Sequence, residues 1–168
     1  LGFKLTVSVA SFVPKPHTPF QWAAQDSLEA LAEKQRRLKD ALRPIKGVKY
    51  NYHDARTSFL EAVFARGDRR LSAVLEAAYK AGCRFDSWLE MFDFDKWLAA
   101  FAAAGIDPGF YAARERQYAE TLPWDIIDIG VDKAYLWKEK QRSEQAATTP
   151  DCRQGCTGCG MRKAGLCP

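Results

Sequence analysis

Apolar and β-branched residues crowd the opening stretch LGFKLTVSVASFV and alternate with smaller ones between Leu5 and Ala10. Leu5, Val7 and Val9 fall on one side of an extended chain, and Thr6, Ser8 and Ala10 on the other, which is the period of a β-strand. A strand of this kind needs neighbours. The one other segment that reads as a partner is VKYNYH at positions 48–53. The opening strand is therefore expected to complete a sheet or barrel whose other strands lie outside this sequence, and the chain to be the C-terminal piece of a longer protein.

The next stretch, VPKPHTPFQW, holds Pro14, Pro16 and Pro19, which remove three ladder donors and favour a stiff, polyproline-like loop carrying His17. From there the apolar spacing turns helical. Asp26 with Glu29 resembles a capping box, Leu28, Leu31, Leu38 and Leu42 share one face, and Pro44 ends the helix. Asp54 is placed to cap a helix bearing Phe59, Leu60, Val63 and Phe64. Gly67-Asp68 reads as a stop followed at once by a cap, opening a helix with Leu71, Val74, Leu75 and Ala78 inward and Gly82 at its end. Ser87 with Glu90 predicts another helix start, Asp95 a further turn with Trp97, Leu98 and Phe101, and Gly105 its stop. Asp107-Pro108 predicts a cap leading GFYAARERQY. TLPWDIIDIG reads as irregular, and DKAYLWKEKQRSEQA as the last helix. Trp88, Phe92, Trp97 and Phe101 lie at helical spacing and are expected in the core.

With 168 residues, 47% of them hydrophobic, the chain is long and apolar enough for one folded body. It has no run of about 18 apolar residues, so no membrane span is expected. No basic stretch leads into an apolar one with a small-residue cleavage site, which predicts a cytoplasmic chain with reduced thiols. The net charge of +4 is mild, and the basic runs KQRRLK, RGDRR and KEKQR read as solvated helix faces. Charge alone does not indicate nucleic acid.

Four of the five cysteines, Cys152, Cys156, Cys159 and Cys167, stand in the final stretch TTPDCRQGCTGCGMRKAGLCP. Such a group can chelate one metal, form two disulfides or stand idle in a loose tail; the first is favoured. Thiolates are the ligating form, and glycines at 155, 158, 160 and 165 let the backbone curl until several sulfurs converge. The first three have the C-x3-C-x2-C spacing with which radical S-adenosylmethionine (SAM) enzymes hold a catalytic [4Fe-4S] cluster. That role does not fit here. The catalytic motif precedes most of a barrel of roughly 200 residues or more, whereas nine residues follow Cys159, and Gly158 stands where an aromatic is usual. With Cys167 as a fourth thiolate the site closes, as in structural zinc or a fully ligated auxiliary Fe-S cluster, and both metals accept four cysteines.

Four segments together resemble one family, the radical SAM proteins with a cobalamin-binding-like domain ahead of the barrel: SVASFVPKPHTPFQWAAQ (8–25), HDARTSFLEAVFARGDRRL (53–71), PWDIIDIGVDK (123–133) and TTPDCRQGCTGCG (148–160). The resemblance spans nearly the whole chain, and FVPKPHTPFQW, similar to the closing barrel strand and its loop, is its most telling part. It implies a fold that is mainly α: a helical C-terminal extension of a radical SAM (β/α) barrel. Residues 1–25 would be the last barrel strand and proline-rich loop, 26–147 the helical extension, and 148–168 the four-cysteine metal-binding tail. The implied chemistry is cleavage of SAM by a [4Fe-4S] cluster to a 5'-deoxyadenosyl radical, with the catalytic cysteines in the N-terminal remainder of the same protein and with cobalamin as a further cofactor to test. No catalytic residue is expected within this chain.

In a barrel of parallel strands ligands gather at the C-terminal strand ends, here Ser11 onward. Lys15, His17 and Gln21 are thereby candidates to face SAM or substrate. A histidine hydrogen-bonded to hold the proline loop is the plainer role for His17, and His53 beside Asp54 reads as structural. The competing function is not enzymatic: a helical module whose zinc knuckle grips RNA or a protein partner.

Overall fold

Leu5–Val9 forms strand β1 and Val48–Tyr52 forms β2 in a computed structural model that describes residues 3–163, 165 and 167. The two strands pair in parallel, with Leu5 opposite Val48 and Val9 opposite Tyr52. Parallel neighbours need a crossover, and α1, Leu28–Leu42, lies between them in the chain. VKYNYH is thus the partner that its pattern predicts. The remaining helices are α2, Ala55–Ala65; α3, Leu71–Lys80; α4, Phe94–Ala103; α5, Gly109–Ala112; and α6, Lys133–Glu144. Six helices and a two-stranded sheet make the described residues mainly α. No helix among them is long and apolar enough to cross a membrane.

The chain forms two compact units, one of residues 1–13 and 24–114 and the other of residues 14–23 and 115–168. In the first, Leu60, Val63, Leu71, Val74, Ala78, Phe94, Trp97, Phe101 and Tyr111 make one buried cluster. Phe64 meets Trp97 edge to face, with ring centroids 5.4 Å apart, an arrangement that adds to simple burial. Gln25, 3% exposed, ties the end of the opening segment to α2 by donating from Nε2 to the Phe12 and Ser58 carbonyls at 3.1 Å each. In the second unit, Trp22, Leu122, Trp124 and Leu136 form a smaller core flanked by Val131, Tyr135 and Trp137.

Several helix starts differ from the sequence pattern, each for a local reason. The cap of α1 is Ser27, whose hydroxyl accepts the Ala30 N–H, while Asp26 instead pairs with Lys34 at 2.5 Å. Asp54 does cap α2, accepting from Arg56 N and Thr57 N. Asp68 lies ahead of α3, where it accepts the Arg70 N–H and grips its guanidinium, so the cap position falls to Arg70. Ser87 and Glu90 open no helix: residues 86–91 are turns entered through Phe85 at φ +59. Trp88 is 62% exposed there rather than in the core. α4 is capped by Asp93, through Lys96 N, not by Asp95. Leu38, Leu75 and Leu98 are exposed, because each helix buries a narrower stripe than its apolar spacing suggests. Helix α5 stops after Ala112, short of the expected run to Tyr118. Arg66, from the run read as a solvated face, is wholly buried and donates to the Ala112 and Arg114 carbonyls at 2.7 and 2.9 Å.

Candidate functional site

The cysteine tail leaves α6 through Ala146 at φ +52 and is fastened back onto that helix by Thr149. Its hydroxyl donates to Glu139 Oε2 at 2.5 Å and accepts from Arg142 Nη1 at 2.7 Å. Asp151 then closes a turn around Cys152. Its carboxylate accepts Arg153 N at 2.9 Å and Arg153 Nε at 3.0 Å, and the guanidinium beside it holds the Asp151 carboxyl below the usual range.

The deeper anchor lies at CTGCG. The Cys159 carbonyl accepts Asp132 N–H at 2.8 Å. Gly160 is buried at φ +103, and a Cβ there would lie 2.9 Å from both Asp132 N and the Gly130 carbonyl oxygen. Only glycine meets both demands, the left-handed backbone and the close approach. Lys163 completes the join by donating its N–H to the Gly160 carbonyl at 2.8 Å and its ammonium to Asp132 Oδ2 at 3.1 Å.

Cys152, Cys156, Cys159 and Cys167 all line one hollow of about 650 Å³, together with Gly158, Gly160, Met161, Arg162 and Lys163. None of the five cysteines is in a disulfide. The four cysteines line the hollow without being drawn into a coordination shell. Among the described residues no group of three or more His, Cys, Asp or Glu side chains is placed to hold a metal ion. The donor set is nonetheless that of a soft, thiolate-binding metal, and the glycine-rich backbone between the cysteines has space around Gly155 and Gly158. Cys83 differs in kind: it is buried in the helical core, and burial pushes its thiol up.

His17 and Gln21 line a second hollow of about 380 Å³, within the same unit. Gln21 is 2% exposed, and its Oε1 accepts His17 N at 3.1 Å and Trp124 Nε1 at 2.6 Å. His17 takes φ +56 as it makes its bond, so the proline loop is held through the histidine's main chain where the residue borders the hollow. Lys15 is exposed and does not line this space; its carbonyl accepts the Thr18 hydroxyl at 2.8 Å. His53 is also exposed. Its main chain continues the strand pairing, donating N–H to the Val9 carbonyl at 3.3 Å.

The rest of the hollow's wall comes from residues that pattern reading passes over: Asp125, Asp128, Asp132 and Lys133. Lys133 Nζ donates to Asp125 Oδ2 at 2.6 Å and to the Glu120 carbonyl at 3.1 Å. The available signal was the recurrence of carboxylates in DIIDIGVDK, in a stretch that has neither helical nor strand period. No protein-family model, curated protein or solved structure matches this chain.

Proposed function

We propose that this chain is the C-terminal portion of a radical SAM enzyme, and that its tail binds a metal through Cys152, Cys156, Cys159 and Cys167. The observation that supports the metal site is that all four cysteines line one hollow, on a loop anchored through Gly160. A bound centre would be held by four thiolates and left no open position, so it would store electrons or cross-link the tail rather than bind SAM. SAM cleavage belongs, in this reading, to a [4Fe-4S] cluster held elsewhere in the protein, with cobalamin as a further cofactor to test.

The enzyme assignment rests first on the resemblance of FVPKPHTPFQW and its companion segments. Support comes from the parallel pairing of β1 with β2 around α1, the unit from which (β/α) barrels are built. Parallel sheets normally have both faces covered, yet Phe3 is 94% and Leu5 58% exposed. Further parallel strands against this pair would supply that cover. The expected observation is an upstream C-x3-C-x2-C, with an aromatic before its third cysteine, in the whole protein; its absence overturns the enzyme reading.

A zinc knuckle on a non-catalytic module that binds RNA or a protein is the second reading, favoured by exposed Arg153, Arg162 and Lys163 around the thiols. Anaerobic purification followed by metal and sulfide analysis and an absorption spectrum separates the two centres. Brown protein with iron and sulfide supports the auxiliary cluster, colourless protein with zinc supports the knuckle, and neither metal overturns the site.

A further inference from the structure

Two groups of the hollow bordered by His17 and Gln21, the Gln21 carboxamide and the Asp128 carboxylate, are of opposite kinds, a donor and an acceptor. Gln21 is 2% exposed, and two N–H groups, from His17 and Trp124, converge on its Oε1. Their convergence identifies which end of the carboxamide is oxygen. Its Nε2 then has no hydrogen-bond partner among the described residues. Gln21 lines the hollow, so a polar group entering there meets an amide donor ready to bond.

Asp128 supplies the acceptor. Its Oδ1 closes a turn onto Gly130 N at 2.7 Å. The neighbouring carboxylates have counter-charges, Asp125 from Lys133 at 2.6 Å and Asp132 from Lys163 at 3.1 Å. Among the described residues Asp128 has none. The carboxylates and His17 are not gathered for a metal ion either. The wall thus suits an organic cation, and Ile127, Ile129 and Val131 give it apolar surface beside the charge. A volume of about 380 Å³ lies within the range of small-molecule sites.

We infer that this hollow binds a small α-amino carbonyl compound, its ammonium on Asp128 and its carbonyl oxygen on the Gln21 Nε2. No thiol lines the site, so the inference stands or falls separately from the metal reading.

The test titrates L-leucinamide, N-acetyl-L-leucinamide and isoamylamine into the full chain by calorimetry at about pH 6.5, below the usual α-ammonium pKa of about 8. Leucinamide is expected to bind saturably; the acetylated compound, which lacks the ammonium, and the plain amine, which lacks the acceptor, are expected to bind at least about ten-fold more weakly. Asp128→Asn keeps an oxygen for the Gly130 N–H and removes the charge. Gln21→Glu keeps the acceptor for His17 N and Trp124 Nε1 and removes the donor. Each is expected to weaken leucinamide binding at least about ten-fold, which is about 1.4 kcal/mol or more. Asp128 is exposed, so its variant remains decisive if Gln21→Glu fails to fold. Equal affinity for the three probes, unchanged affinity in Asp128→Asn, or no saturable binding of leucinamide to the parent chain overturns the inference.

Discussion

Cys159 and Asp132 are joined main chain to main chain: the carbonyl of the third cysteine accepts the N–H of the residue that opens α6, at 2.8 Å. Gly160 makes this approach feasible, with φ +103 and no room for a Cβ between Asp132 and Gly130. Gly160→Ala is therefore expected to detach the cysteine loop, at roughly 1–3 kcal/mol for the strained backbone alone. Hydrogen exchange at the Asp132 amide is the direct readout, and it should accelerate at least about ten-fold, since a loss of 1.4 kcal/mol is a factor of ten in the opening equilibrium. Exchange at the parent rate would show that the loop docks by other contacts.

Removal of one thiol distinguishes a shared site from idle cysteines. Cys156→Ser is expected to abolish bound metal and loosen residues 148–168, while the helical circular dichroism stays that of the parent. Cys83→Ser should keep the metal, because Cys83 is buried among helical core residues and burial holds it as the thiol. Metal analysis of both variants, purified without oxygen, checks the pair.

The Asp68 carboxyl is lowered to about 2, chiefly by hydrogen bonds from the Arg70 guanidinium. The folded value lies below the unfolded value of about 3.9, so the contribution is present above about pH 4 and fades as the pH falls toward 2. The group is partly open to solvent, which restricts its worth to about 1 kcal/mol or less. Asp68→Asn should lower the urea midpoint at pH 7 and change it little near pH 2. A deficit equal at both pH values would mean that charge is not what the variant removes.

Arg66 is a buried cation whose two terminal nitrogens satisfy the Ala112 and Arg114 carbonyls where α5 ends. Arg66→Met fills similar volume but takes one donor from each carbonyl, leaving that of Ala112 with the Gln25 N–H at 2.9 Å, and should cost roughly 1–3 kcal/mol. Urea unfolding measures it; a cost under about 1 kcal/mol would show that those carbonyls find other donors.

The helix starts that could be read in advance are those whose signal is complete within a few residues. Asp54 caps α2 because its carboxylate reaches N–H groups two and three positions on, and Gly82 and Gly105 end α3 and α4 at positive φ. The Ser87/Glu90 pattern is just as local and yet opens nothing, since the chain there turns at Phe85 and leaves Trp88 in solvent. Spacing that fits a helix is necessary for one, but the buried stripe must also find a surface to cover.

What the amino-acid order determines here is short-range: the strand periods of the two segments that pair, the Asp54 cap of α2, and the glycine stops of α3 and α4. What only the tertiary structure decides is which distant groups meet. Gln21 and Trp124 are 103 residues apart, yet one hydrogen bond between them orients the carboxamide that borders the polar hollow. DIIDIG has no period to read, and its aspartates acquire meaning only when the chain brings them beside His17. The reason is physical. Caps and turns are satisfied by neighbours in sequence, whereas buried polar groups must find partners wherever packing delivers them.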